Sequence, residues 1–90
     1  MSTDTLAVTV RYWAAARAAA GRSEDVVSGS SVAEVLDAVR RVHAANAPLL
    51  RVLNVSSLLL GDVPLGSRDL PGVPVGPGDV LEVLPPFAGG

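Results

Sequence analysis

The sequence predicts a small two-layer α+β domain in which one amphipathic helix covers one β-sheet. Three observations predict this class. One segment has its apolar residues at helical spacing, several shorter segments have the alternation or the Val and Leu content of strands, and 90 residues leave room for a single domain. We expect residues 1–84 to form the domain and residues 85–90 to form an extended C-terminal tail.

The first element is a strand over residues 6–12, because apolar residues alternate there with smaller or polar ones. The apolar face consists of Leu6, Val8, Val10 and Tyr12. A short alanine-rich helix follows, and Gly21 suits the left-handed position that ends it. We expect Trp13 to fill the core near the end of the first strand.

A polar strand is predicted over residues 23–27, at an edge of the sheet and antiparallel to the first. The main helix covers residues 32–42, with Ser31 and Glu34 in the spacing of a capping box. Its apolar stripe consists of Val32, Val35, Leu36, Val39 and Val42. Asn46 and Pro48 are expected to end this helix.

The remaining chain predicts a strand over residues 51–60, a turn at Gly61 and a brief return strand over residues 63–65. Proline and glycine dominate residues 66–78, which predicts a loop. The last strand, over residues 79–84, is apolar on both faces except at Glu82, and this favours a central place in the sheet.

Composition excludes several functions. The formal net charge of −2 argues against a nucleic-acid-binding protein, and the lack of cysteine excludes disulfides, thiolate metal sites and cysteine nucleophiles. No apolar run approaches the length of a membrane span, and no basic segment precedes an apolar stretch at the N-terminus. We therefore expect a cytoplasmic, soluble protein that binds neither nucleic acid nor membrane. His43, a lone histidine, is expected to be structural or solvent-facing rather than catalytic.

The most informative segment is the C-terminal one. Two prolines end the last strand by removing backbone donors, and the two final glycines have no Cβ, so they can enter a narrow channel. A carboxylate is ionised at neutral pH and is a poor electrophile, so it must become an acyl-adenylate before a nucleophile attacks it. The segment consists of Pro85, Pro86, Phe87, Ala88, Gly89 and Gly90.

This ending, preceded by a Gly-Asp entry into the last strand at Gly78 and Asp79, resembles the molybdopterin synthase small subunit of the MoaD/ThiS family. The segment from Val8 to Gly21 is similar to the first strand and short helix of that family. The resemblance runs along nearly the whole chain. It implies the ubiquitin-like β-grasp fold, with a mixed sheet packed against one main helix plus a short helix.

The resemblance also implies a sulfur carrier. A ubiquitin-activating-type adenylyltransferase would use ATP to adenylate Gly90, and a sulfur donor protein would supply the sulfur for a thiocarboxylate. The large subunit of molybdopterin synthase would then pass this sulfur to cyclic pyranopterin monophosphate in molybdenum cofactor biosynthesis. Contacts with these partners are expected from Gly89, Ala88, Phe87, Pro86 and Pro85. No metal and no bound cofactor is expected, and the catalytic groups are expected on the partners.

Three alternatives stay open at this stage. The carrier could serve cysteine or thiamine biosynthesis, it could be a ubiquitin-like modifier that forms isopeptide bonds to lysines, or it could be an interaction domain with an inert tail. For a carrier we expect an exposed apolar patch close to the tail, on the sheet face away from the main helix.

Overall fold

A computed structural model describes residues 7–86. Within that part of the chain there are five strands, three α-helices and one short 3₁₀ turn. The elements in chain order are β1 (Ala7–Tyr12), α1 (Ala14–Ala20), β2 (Glu24–Ser28), α2 (Val32–Val42), α3 (Ala47–Val55), β3 (Ser57–Leu60), β4 (Val63–Pro64), the 3₁₀ turn (Leu70–Gly72) and β5 (Val80–Leu84).

The strands form one mixed sheet in the order β2-β1-β5-β3-β4. β1 pairs antiparallel with β2 and parallel with β5, and β3 pairs antiparallel with both β5 and β4. This is the predicted α+β, β-grasp architecture, which is confirmed. β5 lies in the middle of the sheet, as the apolar character of both its faces predicts.

α2 has the predicted bounds and the predicted start. The Ser31 hydroxyl accepts a hydrogen bond from the Glu34 N–H at 3.2 Å, while the Glu34 carboxylate accepts one from the Ser30 N–H at 2.8 Å. The first bond satisfies a donor that the first turn of a helix leaves free, and the second holds the residue that precedes the N-cap. Four residues of the predicted apolar stripe, Val32, Val35, Leu36 and Val39, are buried. The fifth, Val42, is exposed, so the prediction is wrong for the last residue of the helix.

One prediction about this half of the chain is wrong. The segment predicted as a strand over residues 51–60 is helical as far as Val55, and only Ser57–Leu60 is a strand. Asn46 begins α3 and does not end α2, which stops at Val42: the Asn46 side-chain oxygen accepts from the Leu49 N–H at 3.2 Å. Pro48 stands in the first turn, where its missing N–H costs nothing.

The core lies between the sheet and the helices. Its fully buried large side chains are Tyr12, Leu49, Leu81, Val8, Val10, Val32, Val35, Val39 and Val83. The loop over residues 66–78 is fastened to the start of α2 by two backbone bonds, from Val32 N–H to the Val73 carbonyl and from Val75 N–H to the Ser30 carbonyl. The proline-rich segment is therefore an ordered cover on α2 as well as a connection.

Candidate functional site

The central strand leads directly to the predicted site. β5 ends at Leu84, since Pro85 and Pro86 cannot donate to a ladder. Pro85 is half-buried and Pro86 is exposed. The other predicted site residues lie outside the described residues: they are Phe87, Ala88, Gly89 and Gly90.

An apolar groove of about 480 Å³ lies where β5 ends. It is lined by Trp13, Ala14, Ser57, Leu59, Leu84, Pro85 and Pro86. Leu84 pairs with Ser57 and Leu59 pairs with Glu82, so all four residues point to one face of the sheet. Leu81 and Val83 alternate with them and are buried on the other face, which α2 covers. The expected exposed apolar patch on the face away from the main helix is therefore confirmed.

Trp13 forms the aromatic wall of this groove. Its side chain is 42% exposed, and its indole N–H donates to Glu82 Oε1 at 2.9 Å. The prediction that Trp13 fills the core is wrong. The buried residue at the end of β1 is Tyr12, which precedes Trp13 and lies on the apolar face of the strand. Ala14, which follows, has a φ of 48°, a left-handed conformation that costs an L-residue roughly 1–2 kcal/mol.

Sequence reasoning does not single out Leu59 or Glu82 as site residues, although both are near the groove. Leu59 is one of three consecutive leucines, and which of them faces outward depends on the pairing of β3 with β5. Because side chains alternate along β5, Glu82 lies on the opposite face of the sheet from Leu81 and Val83. Leu59 can be placed beside Glu82 only once the register between β3 and β5 is known.

The described residues that line the groove have no ionisable side chain. Across residues 7–86, no three side chains of His, Cys, Asp and Glu come together as a metal site. Glu82, at the groove, is held by the Trp13 indole. The arrangement presents an apolar surface that a partner can contact.

His43 belongs to a separate, largely buried network at the C-terminal end of α2. Its Nε2 lies 2.8 Å from Asp25 Oδ2, which also accepts from the Tyr12 hydroxyl at 2.7 Å. Arg22 Nε lies 2.9 Å from Asp25 Oδ1. The network connects β1, β2 and α2, which agrees with a structural His43.

This network shifts two pKa values. Burial by itself raises the pKa of Asp25, but the hydrogen bonds from His43 and Tyr12 and the Arg22 guanidinium outweigh it, so the pKa lies below its ordinary value. Burial, followed by the bond to the Asp25 carboxylate, raises the pKa of Tyr12 well above its ordinary range. Asp25 is therefore ionised and Tyr12 neutral at physiological pH.

We predict that Asp25→Asn lowers the free energy of unfolding at neutral pH, since charge-assisted bonds to Tyr12, His43 and Arg22 are lost. The lowered pKa means that the stabilisation is present above the pKa of the unfolded chain and is lost as pH falls through the folded-state pKa. Urea unfolding should therefore show that the wild type has a higher free energy of unfolding than Asp25→Asn at about pH 7, and that this difference becomes smaller at about pH 3. Asp37→Asn is the matched control, because Asp37 forms an exposed i,i+3 pair with Arg40. A difference in free energy of unfolding that does not change with pH would contradict the stabilising role of the ionised Asp25 carboxylate.

Comparison with solved structures shows the fold and supports the predicted resemblance. Small archaeal modifier protein 1 of Methanosarcina acetivorans superimposes with a TM-score of 0.74 at 25% identity, over 96% of this chain and 98% of that one. A chain of the Amycolatopsis orientalis BexX/CysO complex gives a TM-score of 0.73 at 26% identity, over 92% and 99% of the two chains. The predicted resemblance to the MoaD/ThiS family is confirmed.

A chain from the complex of subunits 1 and 2 of the Helicobacter pylori molybdopterin-converting factor has the MoaD/ThiS-type fold as well. It superimposes with a TM-score of 0.63 at 24% identity, over 93% of this chain and 99% of that one. No protein-family model and no curated protein sequence matches the chain. In residues 7–86, none of the helices is long and apolar enough to span a membrane.

Proposed function

We propose that this chain is a sulfur carrier in which Gly90, as the terminal residue, holds the transferable sulfur as a thiocarboxylate. The observation that carries the proposal is the groove at the end of β5. Pro85 and Pro86, which follow β5, line this apolar groove. The sequence after them is Phe-Ala-Gly-Gly. A partner that binds the groove thereby receives the tail.

The proposed chemistry follows from the carboxylate. A Gly90 oxygen attacks the α-phosphorus of ATP in an adenylyltransferase, pyrophosphate leaves, and the acyl-adenylate forms. A sulfide equivalent from a sulfur donor protein then attacks the carbonyl carbon, and AMP leaves with the electron pair of the broken C–O bond. Gly89 and Gly90 present no Cβ, so the channel walls of a partner can approach the reacting carbonyl closely. ATP is consumed by the partner, and we place these reactions in the cytoplasm.

The groove is suited to a protein partner. It places an aromatic ring, two leucine side chains and two prolines on one exposed surface, and aromatic anchors in such surfaces carry much of the energy of association. Two of the structural neighbours are themselves chains of complexes: one of subunits 1 and 2 of molybdopterin-converting factor, the other of BexX and CysO. These complexes support partner binding by the present chain.

We further propose that the recipient of the sulfur is cyclic pyranopterin monophosphate, bound by the large subunit of molybdopterin synthase. Two observations favour functions other than transfer of sulfur to cyclic pyranopterin monophosphate. The likeness to CysO favours a carrier for another sulfur-requiring pathway, and the likeness to small archaeal modifier protein 1 favours a modifier that forms amide bonds with lysines of other proteins.

Intact-mass measurement separates these functions. The chain is incubated with ATP, an activating enzyme and a sulfur source, and then with the large synthase subunit and cyclic pyranopterin monophosphate. Exchange of one oxygen for one sulfur supports the carrier, and its loss with formation of molybdopterin supports the proposed recipient. Adducts at lysines of other proteins support the modifier, and an unchanged mass contradicts both functions.

A groove variant tests the docking surface in the same assay. Leu84→Asp introduces a charge into the groove and is expected to lower the rate of thiocarboxylate formation at limiting enzyme by about tenfold or more. Val55→Asp places the same charge at an exposed valine of α3 that does not line the groove, and should leave the rate unchanged. Equal rates for the two variants would mean that the groove does not bind the activating enzyme.

A further inference from the structure

One edge of the sheet is left open by the described fold. β2 pairs with β1 on one side and has no neighbouring strand on the other within residues 7–86. The opposite edge, β4, contains only two residues, one of them Pro64, which cannot donate a hydrogen bond. β2 has five residues and no proline. It is therefore the edge that can accept another strand.

The pairing with β1 determines which backbone groups of β2 are free. The Tyr12 N–H donates to the Ser23 carbonyl at 2.8 Å, so these two residues form a hydrogen-bonded pair. Such pairs alternate along an antiparallel ladder. Asp25 and Val27 consequently direct their N–H and C=O groups toward β1. The residues that direct theirs outward are Glu24, Val26 and Ser28.

The side chains of these outward-directed residues are also exposed. Val26 is 64% exposed on the sheet face away from α2, although a valine in a folded domain is usually buried. Glu24 lies across from Arg11, whose Nε is 3.9 Å from its carboxylate. The charge of Asp25 is turned inward and paired with Arg22. No lysine or proline protects this edge, and its two carboxylates already have cationic neighbours.

We propose that β2 pairs antiparallel with β2 of a second copy of this chain, with Val26 on the two-fold axis. In this register Val26 lies opposite Val26 of the second copy, and Glu24 lies opposite Ser28. Each of the three outward-directed residues then forms two backbone hydrogen bonds, through its N–H and its C=O, with the residue opposite it in the second copy. Charge favours a second copy as the occupant, because the two-fold register brings no carboxylate opposite another carboxylate and forms an apolar cross-strand pair at its centre.

This surface is independent of the proposed sulfur chemistry. β1 separates β2 from β5, so the open edge lies about 10 Å across the sheet from the strand that carries the tail. No residue of β2 lines the groove, so pairing through this edge would leave the groove of each copy uncovered. Five residues of strand bury little area, so the association is weak and reversible.

Sedimentation velocity from micromolar to millimolar concentration tests the pairing, and amide exchange followed by NMR locates it. The wild-type mass is expected to rise from the monomer toward the dimer. The N–H groups of Glu24, Val26 and Ser28 should gain protection at high concentration, whereas those of Asp25 and Val27 should be protected at every concentration.

Charge substitution at the axis provides the specific test. V26K and V26E each place two like charges opposite one another and should weaken self-association by about tenfold, whereas an equimolar mixture of the two should restore it. V55K is the matched control, because Val55 has nearly the same exposure on α3. A wild-type protein that stays monomeric at millimolar concentration, or a dimer that V26K leaves intact, would overturn the proposal.

Discussion

Deletion of Gly90 is expected to abolish thiocarboxylate formation while leaving thermal unfolding unchanged. The deletion moves the terminal carboxylate back by one residue, about 3.3–3.6 Å of extended chain. Displacements of about 1 Å can cost a reaction roughly a hundredfold, so the reacting carbon should no longer reach the bound ATP productively. The large, fully buried side chains lie within β1, α2, α3 and β5, so the melting temperature measured by circular dichroism should not move.

Two further variants make this result specific. Gly90→Ala keeps the length of the chain and adds a Cβ beside the reacting carbonyl, so it should also lose activity. Ala88→Gly changes the same tail without altering its length or its last residue, and it should retain activity. Near-normal sulfur transfer by the deletion variant would show that Gly90 does not carry the sulfur.

The second large effect concerns the helix that sequence analysis did not predict. Leu49 is fully buried in α3, and we expect Leu49→Ala to lower the free energy of unfolding by about 2–5 kcal/mol. That is a large part of the 5–15 kcal/mol that is typical of a whole domain. Urea unfolding followed by circular dichroism measures it.

Val55→Ala is the control for this substitution. Val55 is in the same helix but 63% exposed, so truncating it should change the stability by no more than about 0.5 kcal/mol. Equal effects for the two variants would contradict the packing of α3 described above.

Except for β3, the strands and α2 could be predicted because their signals are local. The alternation in β1 and the capping box of α2 each lie within a few residues, and the structure has the same elements at nearly the same bounds. α3 was missed because Asn46 and Pro48 can end one helix or begin another. Valine and leucine after them suit either a strand or a buried helix, and the packing of Leu49 into the core decides between them.

The groove could be predicted only in part. The sequence indicates an apolar patch near the tail, but not its members, because Trp13, Leu59 and Leu84 meet through pairings between strands far apart in the chain. The prediction for Trp13 is wrong for a different reason. The alternation of β1 places Tyr12 inward, so Trp13, the next residue, belongs to the opposite face, and the left-handed turn at Ala14 follows it directly. The prediction for the final four residues stays a prediction.

The central position of β5 has a consequence for synthesis on the ribosome. β1, near the start of the chain, and β3 both obtain their partner in the middle of the sheet only after residues 80–84 have emerged. Contacts of such long sequence separation form late and slowly. A nascent chain is therefore incomplete as a fold until β5 has been made. Under the proposed function, an activating enzyme that recognises the assembled groove would not bind unfinished copies.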